Sequence, residues 1–219
     1  MSANIRNVAD TCLDKTGRLS LREDIHGVYA NDNPQNRSTL AQLDRIQNMP
    51  FVRVALVTIS TATPTLQRDL DNGNTVYQGD CDVWIYPTDS ITATANNLLT
   101  LDQDDCASNG HSVSDEEDEL FDLGRTLGAN IVCYYINGDG SGLRGCAAHP
   151  PGRRGFWVGS AASPWTWVHE LTHIVGDNSH EGNTDNLMIN NTGTITNPPP
   201  DLGNDQCDRI TDDPDIEQC

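Results

Sequence analysis

The chain has 219 residues, 36% of them hydrophobic, and its 32 acidic against 13 basic side chains give a formal charge of -19. That length supports one sizeable domain or two lobes around a cleft, and no stretch approaches the roughly 20 consecutive apolar residues needed to span a bilayer. So negative a surface repels polyanions, which excludes a nucleic-acid partner.

Residues 1–50 are mixed and polar, with one helical candidate at STLAQLDRIQNM, and read as an N-terminal extension ahead of a domain over 51–219. FVRVALVTIST (51–61) sets Val52, Val54, Leu56 and Ile59 among β-branched neighbours, the pattern of a buried strand. TPTLQRDLDNGNTVYQG is a helical or turn-rich connection, CDVWIYP (81–87) a second strand ended by its proline, and 88–113 polar loop. In SDEEDELFDLGRTLG, Ser114 and Glu117 form a capping box, Leu120, Leu123 and Leu127 mark one helix face, and Gly128 is the stop, with Gly124 weakening the second half. NIVCYYING (130–138) is a strand, the run to Arg154 is loop, and GFWVGS (155–160) is a short strand. A helix follows, with Ser163 as its cap and Pro164 at its first position. The tail NPPPDLGNDQCDRITDDPDIEQC is broken by prolines, with a helical turn or two over 205–210. This order predicts an α/β (α+β) fold, a mixed sheet packed on helices and then a lobe with little regular structure.

The acids are 25 Asp and 7 Glu, and the bases 12 Arg and the single Lys15, a strongly hydrated surface suited to salt or to a calcium-rich exterior. Seven cysteines, at 12, 81, 106, 133, 146, 207 and 219, contain no C-x-x-C pair and read as disulfides of an oxidising, extracellular compartment. An odd count leaves one thiol over, and Cys12, far upstream, is the expected spare. MSANIRNVADTC lacks the apolar core of a signal peptide, so the chain is read either as a protein that stays inside or as a mature secreted form with an added start methionine, and delivery by another route is a further reading.

The chemistry concentrates in WTWVHELTHIVGDNSHEGNTDNLM (165–188). His169 and His173 lie four apart, which on a helix points both imidazoles from one face toward one point, while Trp167, Leu171, Ile174 and Val175 take the other side. Glu170 is rotated off that point, where a carboxylate serves as general base toward a zinc-activated water and as proton carrier to a leaving amine. Gly176 ends the helix, and His180 and DNLM follow.

His169, Glu170, His173 and Gly176 match, position by position, the H-E-x-x-H-x-x-G-x-x-H pattern of metzincin zinc endopeptidases, and Met188 in NLM resembles the methionine of that clan's Met-turn. In its short form the stretch resembles small secreted bacterial members such as the snapalysins. The resemblance implies a metzincin-like fold, a mixed twisted sheet with the active-site helix in an N-terminal lobe (51–176) and a small irregular C-terminal lobe (177–219) containing the Met-turn. It implies Zn2+ as cofactor, a protein or peptide as substrate and a monomeric enzyme. The clan's third ligand falls where Ser179 stands, a poor zinc ligand, and His180 is one residue beyond. His180 is the expected ligand, with Asp177, Glu181, Asp185 or a two-histidine site as alternatives, because Asp177 or Asn178 tolerates the left-handed geometry that absorbs one residue.

By the same resemblance the strand at Gly155 to Ser160 lines the cleft and pairs with an extended peptide, and the loop NGDGSG (137–142) is a candidate for Ca2+, its alternative a plain turn. Cys12 invites a zymogen reading, although the sequence context of such switches is missing. His26, His111 and His149 lack ligand spacing and read as surface or loop residues. Two other readings stand beside the endopeptidase: a non-catalytic metalloprotease-like binding module, which has no need of Glu170, and a delivered toxin protease using the same chemistry.

Overall fold

The computed structural model describes residues 49–102, 113–140 and 142–217. The chain divides into two compact units, and of the first (Met1–Phe51 with Glu217–Cys219) only residues 49–51 and 217 are described. The helical candidate STLAQLDRIQNM apart from its final Met49, Lys15, Cys12, Cys106, Cys219, His26 and His111 therefore lie outside the described residues.

In chain order the elements are β1 (Phe51–Ile59), α1 (Leu66–Asp80), β2 (Trp84–Ala93), β3 (Thr100–Leu101), α2 (Asp115–Asp122), β4 (Ile131–Ile136), β5 (Gly138–Asp139), β6 (Gly145–Cys146), β7 (Gly155–Gly159), α3 (Thr166–Ile174), α4 (Asn204–Thr211) and β8 (Ile216–Glu217), with short 3-10 turns at Asn96–Leu98 and Thr192–Thr194. The main sheet runs β2-β1-β4-β7-β6, and β3 pairs with β5 apart from it. β1, β4 and β7 are parallel neighbours, with Leu56 opposite Cys133 and Cys133 opposite Phe156, while β6 is antiparallel to β7. The fold is a mixed α/β one.

Parallel central strands are covered on both faces, which is why FVRVALVTI and IVCYYI are nearly continuous apolar runs. Their alternate residues divide between two cores. Val52, Val54, Leu56, Ile131, Cys133, Phe156 and Val158 pack with Tyr77 of α1 and Trp167, Val168 and Leu171 of α3. Ala55, Val57, Ile59, Val132, Tyr134 and Trp157 face the opposite way and pack with Leu120 and Phe121 of α2.

Four elements depart from the sequence expectation, each for a local reason. β2 passes through Pro87 instead of ending there: among the described residues β2 is the outermost strand of the sheet, where a proline is tolerated. α2 has the expected capping box of Ser114 and Glu117 but stops at Asp122 rather than Gly128. The Tyr134 hydroxyl donates to Phe121 O at 2.9 Å, taking the carbonyl a continuing helix would offer to Arg125 N–H, which turns to Asp122 O. α3 starts at Thr166 with Trp165 at its N-cap and no side-chain cap: Ser163 O accepts from Thr166 N–H and Ser163 Oγ from Trp165 N–H in the turn ahead of it, so Ser163 is not the cap and Pro164 is outside the helix. The run 139–154 is not all loop, since Gly145 and Cys146 form the β6 edge.

The spare thiol is corrected as well. Cys133 is free and buried at the centre of the sheet, while Cys81 and Cys207 are bridged and Cys146 is disulfide-bonded to a cysteine outside the described residues. A side chain in β4, flanked by β1 and β7 and facing a packed core, has no partner within reach. Among the described residues no helix is long and apolar enough to cross a membrane.

Candidate metal centre

Nine residues, TWVHELTHI, build the helix that carries the site. Trp167, Val168, Leu171 and Ile174 fix its rotation by packing into the core beneath the sheet, and the Tyr77 hydroxyl meets Thr172 Oγ1 at 3.1 Å to tie it to α1. With that face committed, His169 and His173 project from the other, their rings edge to face with centroids 4.6 Å apart.

The chain leaves α3 through two consecutive residues of positive φ, Gly176 at 83° and Asp177 at 48°. Only glycine takes the first without strain, and aspartate is among the few side chains that tolerate the second. The bend returns His180 to the helix face. His173 Nε2 lies 3.1 Å from His169 Nε2 and 3.1 Å from His180 Nε2. Among the described residues these three form the group of His, Cys, Asp or Glu side chains able to hold a metal, their ligand atoms all within 4.8 Å of one another.

The other ring nitrogens decide what those Nε2 atoms offer. His169 Nδ1 is 2.8 Å from Leu187 O and His173 Nδ1 is 2.6 Å from Asn178 O. Carbonyl oxygens only accept, so each Nδ1 carries the proton and each Nε2 presents a lone pair. Burial, reinforced by the neighbouring imidazoles, pushes His169 down to about 3; burial pushes His173 down to about 4, and lowers His180. All three are neutral near pH 7. Neutral imidazoles with facing lone pairs repel one another unless a cation stands between them. Two nitrogens bound at about 2.0–2.1 Å to one tetrahedral zinc are about 3.3–3.4 Å apart, close to the spacing seen, so the residues fit that ion.

Glu170 is buried at the back of the cluster. A methyl group placed on Gly145 would lie 2.7 Å from Glu170 Oε1 and 2.8 Å from Thr166 Cγ2, so the β6 backbone lies directly against this carboxylate and only glycine fits there. Glu170 takes no hydrogen bond from the described residues, and burial alone raises its carboxyl to about 8. A cation at the histidines would draw it back toward the ionised form.

No protein-family model matches the chain, and no curated protein matches it in sequence. Solved structures do. Metalloproteinase-II from Bacteroides fragilis superposes with a TM-score of 0.52 at 14% identity, over 74% of this chain and 52% of that one. The two folds are distantly similar. A chaperone–substrate complex gives a TM-score of 0.49 at 15% identity over 74% of this chain and 33% of its partner, and archaemetzincin from Methanopyrus kandleri gives 0.46 at 15% over 74% and 94%. The chain thus spans about a third and about half of the first two structures it matches.

Of the alternatives to His180, Asp177 and Glu181 are exposed, and Asp185 accepts from the Thr196 hydroxyl, away from the cluster. Met188 is fully buried next to Leu187, whose carbonyl holds His169. β7 lies between β4 and β6 in the main sheet rather than at its described edge, contrary to expectation. In the 137–142 loop, Asp139 Oδ1 accepts from Gly142 N–H and Leu143 N–H, as in a plain turn. His149 bonds Pro150 O. The partners that sequence reasoning missed are the carbonyls of Asn178 and Leu187, which hold the ligand imidazoles, and Gly145, which acts through the absence of a side chain; backbone groups of this kind carry no motif of their own.

Proposed function

We propose that the chain is a zinc-dependent endopeptidase of the metzincin type, with His169, His173 and His180 as ligands and Glu170 as general base. The observation that carries this is the convergence of three imidazoles whose ligand atoms lie within 4.8 Å of one another, with His173 Nε2 3.1 Å from each of the other two and two of the Nδ1 positions tied to carbonyls. Zinc, when bound, supplies Lewis acidity toward a peptide carbonyl and lowers the pKa of a water toward about 7.

The protein's own residues do the rest. His169, His173 and His180 would hold the ion with one protein ligand fewer than structural zinc takes, the condition that separates catalytic from structural sites. Glu170, one residue from a ligand on the same helix, accepts the water's proton and delivers it to the leaving amine, and its dry surroundings keep its basicity high. β6 offers an antiparallel edge beside Glu170 for an extended substrate, which places a scissile bond over the helix. Met188, buried beside the Leu187 whose carbonyl holds His169, takes the part of the Met-turn methionine in this reading. The bridged Cys81, Cys207 and Cys146 favour an oxidising, extracellular setting.

The test is direct: purified protein is dialysed against chelator, reloaded with one equivalent of zinc and given a mixed peptide library. Zinc-dependent internal cleavage is expected, abolished by Glu170→Gln. A wild-type protein that takes up no zinc, or binds it and cleaves nothing, overturns the reading.

A further inference from the structure

The bend that brings His180 back is held from outside by α4, and Arg209 ties that helix to the residue that holds His173. Arg209 Nε donates to Asn178 Oδ1 at 2.8 Å. Asn178 is buried, its Nδ2 reaches Thr172 O and Val175 O at the end of α3, and its own carbonyl receives His173 Nδ1 at 2.6 Å. One asparagine therefore joins the last carbonyls of the helix, the imidazole of His173 and the guanidinium of a distant helix.

The same helix end is bolted at a second point. Asp213, just past α4, accepts from Gly176 N–H at 2.9 Å and from Arg154 Nη2 at 2.8 Å, and Arg154 also donates to Ile174 O. Gly176 abuts the Arg209 backbone, and Cys207 in α4 is bridged to Cys81 at the end of α1. α4 is thus anchored independently of the bend it braces, which lets Arg209 act on Asn178 as a fixed strut.

We infer that Arg209 is a positioning residue for His173, acting through Asn178: it holds the Asn178 peptide so that its carbonyl keeps the proton on Nδ1 and the lone pair on Nε2. This rests on the zinc reading above. Without the guanidinium, Asn178 Oδ1 is left buried with no other donor among the described residues, and the side chain turns to recover one. Turning it moves the carbonyl that orients the imidazole, and losing such an outer partner typically weakens a metal site by about 10–100-fold.

The experiment is zinc affinity by competition with a chromophoric chelator, together with the histidine Nδ1–H signals of the 15N-labelled, zinc-free protein. Arg209→Ala should weaken zinc binding by about 10–100-fold, with the His173 Nδ1–H signal broadened or lost and the His169 signal, tied to Leu187 instead, unchanged. Arg209→Lys should recover part of the affinity through one donor. In an Asn178→Ala background Arg209→Ala should cost nothing more, because the two act on one path. Asp208→Ala, exposed on the same helix, is the control for loss of α4 structure. If the wild type binds zinc and Arg209→Ala binds it equally, or if the Arg209 effect persists undiminished without Asn178, the inference fails. A wild type that binds no zinc fails the function instead.

Discussion

Gly176→Ala tests the bend by two separable costs. At φ 83° an L-alanine sits in the left-handed region, at about 1–2 kcal/mol. Its Cβ would also lie 2.7 Å from Arg209 C and 2.8 Å from Arg209 O and Ile210 N. These are backbone atoms of a helix fixed by a disulfide, so α4 or the bend must shift by most of an ångström, and overpacking of this kind costs about 1–3 kcal/mol. The two together come to about 2–5 kcal/mol, a large part of the roughly 5–15 kcal/mol available to a domain. Urea unfolding of the zinc-free protein at pH 7 measures the sum, and Gly176→Asn divides it. Asparagine relieves much of the left-handed term and none of the overlap, so it should remain destabilising, within about 1 kcal/mol of the alanine variant. Zinc affinity should fall in both, because the shift displaces Asn178 and His180. A loss below about 1 kcal/mol for alanine, with zinc binding intact, would refute the close packing of α4 on the bend.

Glu170→Gln should keep zinc stoichiometry and lower hydrolysis by about 10²–10⁴-fold, checked by metal analysis and peptide turnover; retained activity would remove Glu170 from the mechanism. His180→Ala should lose zinc and activity together, whereas Asp177→Ala and Asp185→Ala keep the metal; the reverse pattern means a His-His-Asp shell. Thiol titration should find Cys133 unreactive in the native protein and one thiol after unreduced unfolding, and more than three thiols would contradict the bridged Cys81, Cys207 and Cys146. Burial raises the Asp213 carboxyl, but hydrogen bonds from Arg154 and from the Gly176 and Asp215 N–H groups outweigh it and leave it below its usual 3.8. A depressed carboxyl stabilises above its unfolded value and loses that contribution as pH falls through the folded one. The stability gap between wild type and Asp213→Asn should therefore be full at pH 6 and shrink below pH 4 (usual value 3.8); a gap that widens in acid would contradict the sign.

What the sequence made legible is what a side chain announces at fixed spacing. The apolar runs of β1 and β4, the capping box at Ser114 and Glu117 and the pair His169 and His173 each follow from a local period, and each is where the period puts it. What it concealed depends on a partner far along the chain. Pro87 ends a strand only if the strand has a neighbour on that side, Gly124 lies beyond the helix because Tyr134 takes a carbonyl, and Cys133 is unbridged because β4 is central. The residue between Gly176 and His180 belongs to both kinds. Sequence could say that glycine followed by Asp177 and Asn178 tolerates a wide turn, but not which way the turn would face. That depends on α4, where Arg209 and Asp213 receive the bend, some thirty residues after the motif ends. The extra residue is therefore accommodated by contacts far along the chain, Arg209 on Asn178, Asp213 on Gly176 and the Arg209 backbone against Gly176, and a chain with the same H-E-x-x-H but no such helix would not be expected to bring His180 back to His173.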